Sequence, residues 1–148
     1  AETVDISAGQ AIDRAGVMMG LKFPCGKEME CLASEFTGSL PMPKICVRNG
    51  RINLSGLENI SQKLYNETSD SRYVSAYVLN FISKTLIKIT QDIRENHGDL
   101  PILYAGGVMS NKYLQGELSK FKNTYFATPE YSTDNAAGVA LLARRKHK

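Results

Sequence analysis

The 148-residue sequence has no tryptophan and only three cysteines. Cys25, Cys31 and Cys46 are odd in number and lack C-x-x-C spacing, so they indicate neither a disulfide framework nor a zinc site. No apolar run approaches the roughly 18 residues that span a bilayer, so we predict no membrane segment. These absences favour a protein of the reducing cytoplasm.

Strong charge of either sign is also lacking. The 18 Lys and Arg residues outnumber the 15 Asp and Glu residues by three, and a basic run occupies 144–148. A near-neutral body argues against a dedicated nucleic-acid clamp. The basic run either touches phosphates weakly or complements the dipole of its own helix. The length and the apolar content of 43% predict one domain with a real core.

The N-terminus has no basic segment followed by an apolar one, so we predict no signal peptide. It also lacks a methionine and starts abruptly, from which we expect a fragment of a longer protein. Removal of half of a two-domain protein would expose apolar surface. We therefore expect this chain to self-associate as a homodimer.

Local signals in the first half predict two helices and a hairpin. Ser7 and Gln10 form an S-x-x-Q capping box at the start of a helix over about 6–19. A second helix is expected over 27–36. The dipeptide Asn49-Gly50 separates KICVR from RINL, which is typical of a type I′ hairpin. We place this helical and hairpin excursion at about 21–70, where a polar stretch leads up to Ser71 without a predicted element.

The second half alternates helix and strand. Apolar residues from Val74 to Ile93 follow a 3.6-residue period and predict a long helix. Strand LPILYA, a helix over about 111–121, strand TYFAT and a helix over about 135–145 follow. This alternation predicts an α/β fold whose last strands pair in parallel, with helices packed on the sheet.

Two loops follow the predicted last strands, where open α/β sheets usually bind ligands. In the first, Gly106 and Gly107 would let the backbone approach a phosphate or nucleoside, or would simply form a tight turn before a helix capped by Ser110. In the second, Asp134 would be a plain helix cap, or its carboxylate would face a metal or a ligand hydroxyl. One carboxylate cannot make a metal site.

Asp13 lies one turn beyond Gln10 on the first predicted helix. A carboxylate with an amide neighbour could receive a ribose diol through two hydrogen bonds. Alternatively, Asp13 is an ordinary exposed charge on a helix. The residues alone leave both interpretations open.

Four segments in order resemble the TsaD/Gcp family of tRNA adenosine threonylcarbamoyltransferases. DISAGQAIDRAGVMMGLKFPCGKEMECLA resembles D-D-A-x-G-E-A-F-D-K…LGL-x-Y-P-G-G, and INLSGLENI resembles F-S-F-S-G-L-K-T. YAGGVMSNKYLQ resembles G-G-V-x-x-N-x-x-L-R, and PEYSTDNAAGVA resembles C-T-D-N-A-A-M-I-A. The resemblance spans nearly the whole chain. It implies that the chain is the second half of an actin-like ATPase built from RNase H-like domains.

The resemblance also implies roles for particular residues. Asp13 would contact the ribose of an adenine nucleotide, either ATP or threonylcarbamoyl-adenylate, in a pocket shaped by Gly26. Gly106 and Gly107 would line the nucleotide crevice, and Asn111 would contact the adenylate. Asp134 would bind one divalent metal, iron or zinc. The implied partners are tRNA, accessory subunits and the missing N-terminal half.

Departures from the family pattern define the alternatives. The family's H-x-x-x-H motif and S-G-G-H-T loop lie upstream of anything in this sequence, so we expect the chain alone to be inactive. Gln10, Cys25, Leu54 and Glu58 replace the family's Glu, Gly, Phe and Lys. These changes favour, as the alternative, a non-catalytic nucleotide-binding scaffold. The family's older description as an O-sialoglycoprotein endopeptidase (glycoprotease) has no peptidase motif to support it here.

Overall fold

The computed structural model describes residues 2–48 and 50–128. It contains five strands, five α-helices and one short 3₁₀ turn over these residues. In chain order they are β1 (Glu2–Thr3), α1 (Ala8–Met18), α2 (Gly26–Ser34), β2 (Val47–Arg48), β3 (Arg51–Ile52), α3 (Gly56–Thr68), α4 (Ser71–His97), β4 (Ile102–Tyr104), the 3₁₀ turn (Gly107–Ser110), α5 (Lys112–Leu118) and β5 (Thr124–Phe126).

The strands form two small sheets. In the first, with order β1-β3-β2, β1 runs parallel and β2 antiparallel to β3. In the second, β4 and β5 pair in parallel, with Tyr104 opposite Phe126. The predicted hairpin and the predicted parallel pair are both confirmed. Gly50 adopts a positive φ of 72°, the conformation that the hairpin turn requires of its second residue.

Helix α1 begins where its sequence signal predicts. The Ser7 hydroxyl accepts a hydrogen bond from the backbone amide of Gln10, and the side-chain oxygen of Gln10 accepts one from the backbone amide of Ser7. This reciprocal cap satisfies two backbone donors that the first helical turn would otherwise leave open. Ala11, Ile12 and Ala15 are buried along one stripe of the helix.

The long helix α4 is the centre of the core. The Asp70 carboxylate caps its start by accepting from the amides of Arg72 and Tyr73, and Gly98, with φ of 73°, ends it. Its first half is buried almost all round, because α2, α3 and α5 pack against it. The predicted long helix is confirmed. No helix in the described part of the chain is long and apolar enough to cross a bilayer.

The prediction missed α3 entirely. The stretch before Ser71 contains many polar residues, yet its apolar positions Leu57, Ile60 and Leu64 share one face and pack into the core. Burial on α1 and α4 therefore decides the helix where the composition does not. Predicted helices 27–36 and 111–121 are present but end at Ser34 and Leu118. The predicted helix 135–145 lies outside the described residues.

A carboxylate near the N-terminus fixes the start of α3. Asp5 accepts hydrogen bonds from the backbone amides of Leu54 at 3.0 Å, Ser55 at 2.7 Å and Ile6 at 2.7 Å. Desolvation raises the pKa of Asp5, but hydrogen bonds from Leu54, Ser55 and Ile6 outweigh it and hold the pKa well below its usual range. The ionised form of Asp5 therefore stabilises the junction between β3 and α3.

Asp5→Asn should destabilise the protein at pH 7 by about 0.5–2 kcal/mol, the usual range for losing a helix cap. The folded-state pKa lies below the ordinary value of 3.8, so the stabilisation is fully present above 3.8 and is lost progressively as the pH falls from 3.8 through the lower folded-state pKa. Urea unfolding at pH 7 and pH 3 measures the free energy of unfolding. The difference in this free energy between wild type and Asp5→Asn should be smaller at pH 3 than at pH 7. Glu67→Gln, at an exposed helical carboxylate, is the control. A gap that is equal at both pH values would contradict the assignment.

Candidate functional site

Asp13 ties the second turn of α1 to the start of α2. Its Oδ1 atom accepts a hydrogen bond from the Cys25 backbone amide at 2.8 Å. Cys25 is fully buried, and Gly26 is the first residue of α2. The carboxylate is therefore not the unpartnered surface charge that the sequence left as one alternative, and its contact with a ribose stays a prediction. It already positions the α2 N-terminus.

The buried Cys25 thiol takes the place of a family glycine and has a packing role. Burial raises its pKa, and the neighbouring carboxylates of Asp13 and Glu28 raise it further. A neutral, inaccessible thiol is a poor nucleophile and a poor metal ligand. Cys25 is therefore a core residue of the α1–α2 pair.

A second carboxylate links α2 to α5. Glu30 Oε1 accepts a hydrogen bond from the Lys112 backbone amide at 2.6 Å. The preceding residue, Asn111, is 8% exposed and caps α5 through its Oδ1 atom, which accepts from the Leu114 amide at 3.0 Å. Asn111 therefore caps α5, whereas the sequence suggested Ser110 as the cap. Sequence reasoning also missed Glu30, because nothing local signals a partner 82 positions away.

The double-glycine loop lies against the N-terminal turn of α1. A Cβ atom built on Gly9 would meet Val108 Cγ2 at 3.6 Å. Gly106 has a φ of 112°, a conformation that side chains other than glycine rarely adopt. Gly107 then opens the 3₁₀ turn that leads into α5. The positive φ explains one of the two glycines as a backbone requirement.

A cavity of about 670 Å³ opens between α2, α4 and α5. Lys27 and Glu30 of α2 and Lys112 of α5 supply its charged lining, while Ala76 and Leu79 of α4 contribute apolar surface. Tyr113 also lines it, and desolvation together with the nearby Glu117 raises the pKa of its phenol. The cavity therefore combines an apolar wall with a charged lining.

A separate groove of about 560 Å³ lies between α1 and α3. Asp13 and Gln10 border it, as do Arg14 and Glu58, which form an ion pair at 3.1 Å. The structure thus places Asp13 beside this groove. Gly26 and Asn111 instead lie next in sequence to the cavity residues Lys27 and Lys112. The Asp13–Cys25 hydrogen bond links α1, which borders the groove, to the start of α2, which borders the cavity.

The residues that depart from the family pattern have structural partners. Gln10 completes the α1 cap, and Glu58 pairs with Arg14. Leu54 is 3% exposed and Cys25 is fully buried, so both belong to the core. Each change is thus accommodated by its surroundings in the folded chain.

The predicted metal ligand Asp134 lies outside the described residues. Within 2–48 and 50–128, no group of three or more His, Cys, Asp or Glu side chains could hold a metal ion.

The geometry defines an α/β domain with a cavity between helices and a glycine-rich turn packed on a neighbouring helix. The family model described as "TsaD: tRNA N6-adenosine threonylcarbamoyltransferase" matches residues 1–141, and the chain belongs to this family. The family resemblance seen in the four sequence segments is confirmed.

Curated relatives carry the same description. The chain is similar to a "tRNA N6-adenosine threonylcarbamoyltransferase" of Bacillus licheniformis, with 32% identity over 94% of the chain and 45% of the relative. A protein of that description from Kosmotoga olearia is 30% identical over 99% of the chain and 47% of its own length. One from Bacillus subtilis is 29% identical, over 94% and 44% respectively. The chain spans about half the length of the curated relatives it matches.

Proposed function

We propose that this chain is the C-terminal part of a tRNA N6-adenosine threonylcarbamoyltransferase and that it binds the adenylate portion of the donor. In that reaction the exocyclic amine of a tRNA adenosine attacks the carbamoyl carbon of threonylcarbamoyl-adenylate. The bond from that carbon to the phosphate oxygen breaks, the amine loses a proton, and the adenylate leaves. The residues of this chain would hold the leaving adenylate in place.

The observation that carries the proposal is the anchoring of α2 to two neighbouring helices by carboxylate hydrogen bonds. The Asp13–Cys25 bond fixes its start against α1, and the Glu30–Lys112 bond fixes its next turn against α5. Two of the four family segments, the first and the third, supply these residues, and the same two segments also meet through Gly9 and Val108. Preorganised backbone of this kind is what a nucleotide pocket needs.

The cavity between α2, α4 and α5 suits a nucleoside. Its volume of about 670 Å³ falls in the range of about 300–1,000 Å³ typical of small-molecule pockets. Ala76 and Leu79 would pack on the base, and the Glu30 carboxylate could accept a hydrogen bond from a ribose hydroxyl. Lys27 and Lys112 supply positive charge for a phosphate.

We further propose the actin-like, RNase H-like architecture, with this chain as the second half of the whole protein. A divalent iron or zinc ion would be held by Asp134 together with ligands outside these 148 residues. Such a metal, when bound, would polarise an oxygen of the donor as a Lewis acid. The proposed partners are tRNA, accessory subunits and a second copy of this chain, with which it would form a homodimer.

A non-catalytic nucleotide-binding scaffold is the second candidate. It is favoured by the structural use of the four departing positions, since Gln10 is already engaged in the α1 cap and Glu58 in an ion pair. A scaffold and an enzyme would both bind nucleotide, but only the enzyme would transfer the threonylcarbamoyl group to tRNA. Transfer assayed with the natural full-length protein separates them.

Asn111→Ser tests the nucleotide site without removing the α5 cap. Serine is as good a helix cap as asparagine but lacks the amide, so the melting temperature should change little. Affinity for a fluorescent ATP analogue should fall roughly tenfold if the amide contacts the adenylate, as for loss of one good hydrogen bond. Thermal unfolding of the natural full-length protein measures the melting temperature, and titration with the analogue measures the affinity.

Asn66→Ser is the matched control, because Asn66 is an exposed asparagine of α3. It should leave the affinity unchanged. Equal affinity of Asn111→Ser and wild type would remove Asn111 from the site. Failure of the wild type itself to bind the ATP analogue would overturn the proposed function.

A further inference from the structure

The outer face of the first sheet carries a pair of arginines. Strand alternation turns Ile52 and Val47 towards the core, while Arg48 and Arg51 stay exposed. With Val4, Cys46 and Asn53 they line a shallow groove of about 650 Å³. We call these five residues the outer sheet face.

The two arginines lie directly opposite each other. Arg48 of β2 is the register partner of Arg51 of β3 in the antiparallel pair. Side chains at opposite positions have Cβ atoms about 4.5–5.5 Å apart, and like charges there are destabilising. Placing these two positive charges side by side therefore lowers the stability of the sheet locally.

The described residues do not neutralise this pair. None of the six ion pairs within the described part of the chain includes Arg48 or Arg51. Glu2 is the register partner of Arg51 on β1, yet it forms none of those ion pairs. Two adjacent guanidinium groups with an exposed approach are a suitable site for closely spaced anionic groups.

We propose that the outer sheet face binds the phosphate backbone of RNA, with Arg48 and Arg51 each contacting a phosphate. The five residues of the outer sheet face include no aromatic side chain, whereas protein interfaces are typically centred on buried apolar or aromatic anchors. Phosphate contacts need only exposed cations at suitable spacing and carry no sequence information. This deepens the proposed function, on which it rests, by assigning a docking surface for the tRNA.

The test compares the double variant Arg48→Gln/Arg51→Gln with wild type in binding fluorescein-labelled, unmodified tRNA. Both proteins are used in their natural full-length form, over a range of salt concentrations. Each lost phosphate contact lowers the slope of log affinity against log salt by about 0.7–0.9. The double variant should therefore lose about 1.4–1.8 from the slope and roughly tenfold in affinity at low salt.

Lys63→Gln/Lys120→Gln is the matched control. It removes the same number of charges from exposed positions in α3 and just beyond the end of α5, where each lysine forms an ion pair with a glutamate three or four residues away. The control should leave the salt slope unchanged. Equal losses in both double variants would show a general charge effect and overturn the proposal.

Folding and partner class are checked separately. The arginine variant should melt no lower than wild type, because it relieves like-charge repulsion. If poly-glutamate competes with the tRNA as well as unlabelled RNA does, the face binds acidic protein and the RNA proposal is wrong. If the wild-type protein binds tRNA through these arginines but does not bind the ATP analogue, the proposed nucleotide site is wrong and the proposed RNA surface is supported.

Discussion

Leu114→Ala is expected to lower the free energy of unfolding by about 2–5 kcal/mol. Leu114 is completely buried in α5, and its side chain belongs to the core that α5 and α4 share. Removing the side chain forfeits its transfer free energy and leaves a cavity that rigid neighbours fill only in part. For a chain of this size, a loss of this magnitude corresponds to a melting temperature lower by roughly 5–20 °C.

The control is Leu103→Ala, the same substitution at a leucine of β4 that is 67% exposed. It should change stability by no more than about 0.5 kcal/mol. Chemical unfolding followed by circular dichroism measures both variants. Similar values for the two would mean that α5 does not pack on α4 as described.

Gly16→Ala is expected to cost about 1–3 kcal/mol, even though alanine is the better helix former. A Cβ atom at Gly16 would stand 2.4 Å from Cys25 Cβ and 2.6 Å from its Sγ, distances that real Cβ atoms do not show. The close approach of α1 and α2 depends on this glycine. Forcing the helices apart would also stretch the Asp13–Cys25 hydrogen bond, so nucleotide affinity should fall together with stability.

Gly116→Ala in α5 is the matched control, because a Cβ atom there would meet nothing within 4 Å. It should stabilise the protein by about 0.4–1 kcal/mol, through the lower entropy of the unfolded chain. Thermal melting of the two variants should therefore shift in opposite directions. A stabilised Gly16→Ala would contradict the α1–α2 packing.

The sequence by itself determined the elements whose signals are local. The Ser7–Gln10 capping box marks the start of α1, and Gly50 marks the hairpin turn, because each signal involves residues within one turn of the chain. The 3.6-residue period of α4 predicts that helix because its buried stripe is long. The family resemblance also rests on contiguous motifs, which a sequence shows directly.

Helix α3 and the site's supporting bonds depend instead on the tertiary structure. α3 forms because Leu57 and its neighbours find α1 and α4 to pack against, and a polar composition hides that stripe. Asp5 caps backbone 49 and 50 positions away, and Glu30 reaches an amide 82 positions away. No local pattern encodes such partners, because a carboxylate accepts from any amide that the fold brings within reach.

The candidate site residues were predictable from sequence motifs, but their hydrogen-bond partners were not. Sequence motifs predicted Asp13, Gly26, Gly106, Gly107 and Asn111. Only the fold showed that Asp13 holds the start of α2 and that Asn111 caps α5. That these residues carry the family chemistry stays a prediction from the resemblance. The tertiary structure decided which of them also support the backbone around the cavity, because hydrogen bonds between distant segments exist only once the helices have packed.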